Sequence, residues 1–196
     1  MWGGYQTTVN PMVEAQEKVD IVSFLEDIRG IVEPNRQMIL DLMSGIQAHE
    51  RGIGQLYWQY TQQTSNQWLK EQWEKFGKDT EVNRLVAERV MGALEGDPSY
   101  KSSLARDHEQ FMRCFTNVQS QGSAGDQIRL GNLVMTENIS KLLWKGVHRA
   151  SASIKDAPTA KILADAGKIA RATTEEHVTW NTAMYESYLS KLMLGM

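Results

Sequence analysis

Hydrophobic positions along this chain recur with the period of a helix and hardly anywhere with the alternation of a strand. The clearest run lies between Asp126 and Ile154. There Ile128, Met135, Ile139, Leu142, Leu143, Val147, Ala150 and Ile154 recur at spacings of three, four and seven residues. No proline interrupts the run, and at ~1.5 Å rise per residue it would extend roughly 40 Å. A helix of that length cannot cover its own apolar stripe, so the stretch predicts partner helices elsewhere in the chain.

Candidates lie on both sides. Val13 to Glu33 carries Val19, Val22, Phe24, Leu25, Ile28 and Val32 as most of a stripe, and Pro34 ends it. From Asn35 the rhythm resumes through Met38, Leu42, Ile46, His49, Ile53, Leu56 and Tyr60. Gly45, Gly52 and Gly54 weaken this segment. A break near Gly52 therefore competes with a continuous helix that carries Trp68, Leu69, Trp73 and Phe76 on to Gly77. The run Gly77-Lys-Asp-Thr80 predicts a turn, capped at Asp79 or Thr80, before a short helix through Val82, Leu85, Val86, Val90 and Leu94.

Gly96-Asp97-Pro98 is the strongest punctuation. The glycine stops one helix and Asp97 caps the next, which carries Leu104, His108, Phe111, Met112, Phe115 and Val118. After a flexible turn over Ser120 to Asp126, the long stripe runs until Asp156-Ala-Pro158. A last helix then passes through Ile162, Ala166, Ile169, Thr173, His177, Trp180, Met184 and Tyr188.

These segments predict an all-α protein, an elongated bundle of about six helices ending in a long antiparallel helical hairpin. Residues 1–12 hold Gly, Thr, Asn and Pro and are expected to form an irregular arm. Residues 13–196 are expected to form a single helical-bundle domain.

Composition narrows the function. The net charge of -3 and pI near 5.8 leave no basic surplus for nucleic acid. No apolar run is long enough to span a bilayer. The N-terminus lacks the basic and apolar regions of a signal peptide, so the expectation is either a cytoplasmic protein or an exported one whose signal segment has been removed. The lone Cys114 rules out a disulfide within the chain and reads as a packed core residue. Ten Met and six Trp suit irregular helical packing and large apolar contacts.

Catalytic motifs are missing from the linear pattern. Gly52-Ile-Gly54 is too short for a phosphate loop and follows a helix pattern rather than a strand. A carboxylate di-iron bundle carries Glu-x-x-His on two helices. Here the residues three before each histidine are Ile46, Ala105, Lys145 and Thr174. His49, His108 and His177 fall on inward-facing stripes of different helices, where side chains can converge on a metal or haem. The blander reading keeps each as a separate hydrogen-bonded core residue. Lys141, Lys145, His148, Arg149 and Lys155 read as a solvated basic face.

The run Gln119-Ser-Gln-Gly-Ser-Ala-Gly-Asp-Gln-Ile-Arg-Leu-Gly-Asn132, followed by Leu142-Leu143, resembles the long C-terminal helix of the minor pilin family of type IV secretion and conjugation systems. The resemblance implies long helices framing a smaller helical appendage. It also implies export to a pilus tip and contacts made without catalysis. The chain departs from that family in showing no signal segment and in its Trp-rich stretch around Trp68 and Trp73. No binding residue is carried over.

The resulting expectation is a non-enzymatic assembly protein without a cofactor, part of a pilus, secretion machine or virion-like structure, working as a homo- or hetero-oligomer. Trp2, Tyr5, Tyr57, Trp58, Trp68 and Trp73 are its interface candidates, because aromatics dominate interface hot spots. One alternative is a bundle that binds a transition metal or haem through His49, His108 and His177, and so a candidate oxidoreductase. Another is a bundle that senses a small ligand held between helices.

Overall fold

The computed structural model describes residues 34–195. Trp2, Tyr5, the expected arm and the expected helix over Val13 to Glu33 lie outside the described residues. Among those described there are five helices and no strand. They are α1 (Arg36–Gln63), α2 (Gln67–Ala93), α3 (Ser103–Arg113), α4 (Gly122–Ser151) and α5 (Ala157–Leu194).

Side chains cap most of the starts. Asn35 accepts from the Met38 amide, Asn66 from those of Trp68 and Leu69, Ser102 from that of Ala105 and Asp156 from that of Thr159. Of the two alternatives for this segment neither holds in full: the helix is unbroken at Gly52 and Gly54, but it does not continue to Gly77, because α1 ends at Gln63 with Thr64 as its C-cap. Gly52 and Gly45 are close-approach points. A Cβ on Gly52 would stand 2.5 Å from Met112 Cγ, and one on Gly45 would stand 2.7 Å from Leu104 Cγ. Their missing side chains let α3 lie against α1.

The expected turn over Gly77 to Thr80 is also absent, and α2 runs through it with Thr80 donating back to the Phe76 carbonyl at 2.8 Å. Asp97 does not cap α3, because it binds the Ser99 amide. Ser44 of α1 meanwhile donates to the Tyr100 carbonyl and accepts from the Ser102 amide, which delays the helix to Ser103.

Helix directions follow from paired contacts. Tyr60 meets Trp73 and Gln47 meets Glu88, so α1 and α2 are antiparallel. Tyr60 meets Asn132 and Glu50 meets Trp144, which sets α4 antiparallel to α1. Asn66 meets Tyr188 and Asp79 meets His177, so α5 opposes α2. His148 meets Ala164 and Glu137 meets His177, so α4 and α5 form the expected antiparallel hairpin. Since α2 and α4 run the same way, the chain must travel back between them. It does so through α3, which lies along α1 in the same direction, with Ser102 at Ser44 and Phe115 at Tyr60. The result is a four-helix bundle with one long crossover connection.

The interior has two apolar ends. One gathers Met43, Ile46, Val90, Met91, Trp144, Val147 and Leu163. The other gathers Ile53, Leu56, Tyr60, Leu69, Trp73, Phe76, Leu130 and Leu133. Removing such side chains from water stabilises the fold by roughly 1.5–3 kcal/mol each.

The long stripe on α4 is where expectation and structure part. Its inward face is Arg129, Leu130, Leu133, Thr136, Glu137, Ser140, Trp144 and Val147. Ile128, Met135 and Leu142 point outward and are 40%, 56% and 64% exposed. The apolar rhythm thus mixed two faces, since Val147 is buried and Leu143 and Ile154 pack against the core, while polar residues occupy much of the inner face. Cys114, expected in the core, is exposed at the end of α3.

Candidate functional site

Between the two apolar ends lies a polar layer to which all four long helices contribute. Each helix delivers its residues with the same four-three-four spacing: Ile46, Glu50, Ile53 and Tyr57 on α1; Phe76, Thr80, Asn83 and Ala87 on α2; Leu133, Glu137, Ser140 and Trp144 on α4; Ala170, Thr174, His177 and Asn181 on α5. Every one of these residues is buried. The apolar members anchor the helix above and below, and the polar members are thereby held in the centre.

Two carboxylates define the layer. Oε1 of Glu50 accepts from Ser140 Oγ and from Trp144 Nε1, the latter at 2.8 Å. Oε1 of Glu137 accepts from the Tyr57 hydroxyl at 2.8 Å and pairs with His177 Nδ1 at 2.9 Å. Asn181 Nδ2 donates to the Tyr57 oxygen at 2.9 Å and to the His177 carbonyl at 3.0 Å. Asp79 Oδ2 stands 3.6 Å from His177 Nε2. Glu50 Oε2, Glu137 Oε2, His177 Nε2, Asn181 Oδ1 and both amide atoms of Asn83 are buried with no hydrogen-bond partner.

Burial and then the nearby Glu137 charge push the Glu50 carboxyl up to about 7, against the hydrogen bonds from Ser140 and Trp144. Burial opposes a charged ring at His177, but Glu137 and Asp79 together outweigh it and raise that pKa. Burial raises the Tyr57 phenol well above its ordinary value, so it stays a donor. The layer therefore holds a buried Glu137–His177 hydrogen bond beside a Glu50 whose carboxyl is pushed up to about 7.

A dinuclear carboxylate bundle takes one Glu from each of two helices and Glu-x-x-His from the other two. Glu50 and Glu137 occupy the single-Glu positions here. The other two helices bring Thr80-x-x-Asn83 and Thr174-x-x-His177 into the same layer. Thr and Asn thus stand where two Glu and one His would complete such a set. Among the described residues, no group of three or more His, Cys, Asp or Glu side chains is arranged to hold a metal ion as it stands.

The three histidines singled out from the sequence do not form one cluster. His49 and His108 meet edge to face with ring centroids 5.0 Å apart. The Nε2–H of His49 donates to the Thr136 carbonyl at 3.0 Å, and burial lowers its pKa to about 4. His177 belongs to the polar layer with Glu137. Sequence reasoning missed Glu50 and Glu137, although each sits on a four-three-four run between apolar residues.

The aromatic interface candidates also divide. Tyr57 and Trp73 are fully buried and belong to the core, a correction that follows from the Tyr57 bond to Glu137 and the packing of Trp73 on Tyr60. Trp58 and Trp68 are 71% and 51% exposed. Trp68 leans on Trp180, and Trp58 borders a groove between α1 and α2.

A buried ionic group also ties α4 to α1. Arg129 binds Asp126 at 3.0 Å, Gln63 at 3.1 Å and the Ser120 carbonyl at 3.1 Å, while Thr64 donates to Asp126 at 2.9 Å.

In comparisons with protein-family models, curated proteins and solved structures, nothing matches this chain. Among the described residues, no helix is long and apolar enough to cross a membrane.

Proposed function

We propose that this protein acts by association, as a non-enzymatic helical component of a larger protein assembly. The outward face of α4 supports this reading. Ile128, Met135 and Leu142 recur at every seventh residue along it. Beside them, Ile139 borders two apolar depressions, one shared with Leu42 and Leu143 and the other with Leu104 and Phe111. A seven-residue apolar repeat on a helix is the pattern that pairs with a second helix. Contiguous exposed apolar surface marks contact sites on soluble proteins. A second copy related by a two-fold axis would cover the stripe with its own. The minor-pilin resemblance makes a secretion or conjugation pilus one setting for such an assembly.

Native mass spectrometry of the full chain tests this. The expected result is a dimer or larger species that Met135→Glu with Leu142→Glu converts to a monomer, with helical content and Tm retained. A wild-type monomer at every concentration would overturn it.

One observation favours a second reading, a metal-binding bundle. Glu50 Oε2, Glu137 Oε2 and His177 Nε2 are buried without hydrogen-bond partners in one layer. A ring nitrogen with carboxylate oxygens suits a divalent transition metal. Glu50 and Glu137 would supply carboxylate oxygens to it; His177 now presents Nδ1 to Glu137 and Nε2 to Asp79 and would have to leave Asp79 to join them, while His49 and His108 lie in their own pair. A bound ion would neutralise the paired carboxylates and supply Lewis acidity. Elemental analysis of the purified protein, with a cobalt(II) titration followed by absorbance, decides. Metal-free protein that gives no cobalt spectrum would sink it.

A further inference from the structure

We propose that the groove between α1 and α2, floored by Trp73 and walled by Trp58, binds a flat, neutral aromatic small molecule that carries a carbonyl-type hydrogen-bond acceptor. The groove encloses about 500 Å³, inside the range of small-molecule sites. It shares no residue with the outward stripe of α4, so it stands or falls apart from the assembly reading.

The lining dictates the chemistry. Trp58 is largely exposed and lines the groove, so its indole is available to a ligand. Aromatic ligands stack on an indole face in offset geometry. Gly77 contributes no side chain to the α2 side. Beneath the surface, Thr61 Oγ1 and Trp73 Nε1 are both buried and both lack a hydrogen-bond partner. An indole N–H only donates and a threonine hydroxyl can also donate, so either one, shifted slightly toward the groove that its residue lines, can give a hydrogen bond to a carbonyl oxygen on the ligand. Burying such atoms unpaired is unfavourable, and a ligand acceptor removes the penalty. The rim carries both signs, Glu74 and Glu81 against Lys78, and Arg84 already pairs with Glu81 at 2.6 Å. A strongly charged ligand gains little from such a rim, which is why a neutral one fits.

Coumarin, a planar aromatic lactone, is the probe. Its binding to the full chain is followed by ligand-observed NMR and by calorimetry. Saturable binding is expected, weakened roughly ten-fold by Trp58→Ala through loss of the stacking wall and weakened by Thr61→Val. Trp68→Ala, at the other exposed tryptophan, should leave binding unchanged. Thr61→Val should not lower Tm, because the hydroxyl has no bond within the protein to lose. No saturable binding, unaltered binding by Trp58→Ala, or equal losses from Trp68→Ala would each overturn the proposal. A Tm drop in Thr61→Val would show the hydroxyl to be structural.

Discussion

The Tyr57 hydroxyl reaches across the bundle from α1 and donates to Glu137 Oε1 on α4 at 2.8 Å. Both groups are fully buried, and the same phenol oxygen accepts from Asn181 on α5. One side chain thus joins three helices at the level of the polar layer. Tyr57→Phe keeps the ring and its packing on Phe76, but deprives a buried carboxylate and a buried amide of a partner. The expected loss is roughly 1–3 kcal/mol, measured by urea denaturation. Unchanged stability would show that the layer does not depend on this bond.

Glu50 should make the protein less stable as pH rises. The unfolded carboxyl titrates near 4.5 and the folded one near 7. Between those values the native state keeps a proton that the unfolded chain has lost, so stability falls across that window and levels off above it. The full effect is on the order of 3 kcal/mol. His177, with its raised pKa, contributes in the same direction, its stabilisation being lost as pH rises through its folded pKa. Glu50→Gln should remove the Glu50 share of the slope between pH 4.5 and 7. A slope identical to wild type would mean that Glu50 is not buried as described.

His49 acts oppositely. Its ring titrates near 6.5 when unfolded and near 4 when folded. As pH drops between these values, the unfolded chain takes up a proton that the native state refuses, and stability falls. The Glu50 and His49 windows overlap and their slopes partly cancel. The His49 slope is therefore best read in the Glu50→Gln background, where adding His49→Leu should flatten it. Persistence of the acid slope in that double variant would assign it to another group.

Two glycines of α1 should respond in opposite senses to alanine. A Cβ at Gly54 meets nothing within 4 Å, so Gly54→Ala should stabilise by up to about 1 kcal/mol through helix propensity. A Cβ at Gly52 would collide with Met112, so Gly52→Ala should destabilise by about 1–3 kcal/mol despite the same propensity gain. Thermal or urea unfolding of the pair settles it, and stabilisation by both would show that α3 does not press on α1 at Gly52.

Local chemistry was legible in the sequence at several helix ends that rest on their own residues, though not at Asn66, whose side chain caps α2. Asn35 after Pro34, the stop before Gly96-Asp97-Pro98 and the start at Asp156-Ala-Pro158 were all readable, because a cap or a missing amide acts within one turn. The four-three rhythm likewise determined that the described elements are all helices, since that period depends only on backbone geometry. Which face of each helix turns inward was decided by tertiary structure. On α4 the apolar rhythm of Ile128, Met135 and Leu142 pointed outward. The inner face could hold Glu137, Ser140 and Thr136 only because Tyr57, His177 and Glu50 came from other helices to pair with part of that polarity. The same holds for Gly45 and Gly52, which weaken an isolated helix but admit α3 in the folded one. A residue's burial depends on what stands opposite it, and in this bundle the opposing residue is commonly forty or more positions away, as Glu137 is from His177 and Tyr57 from Glu137.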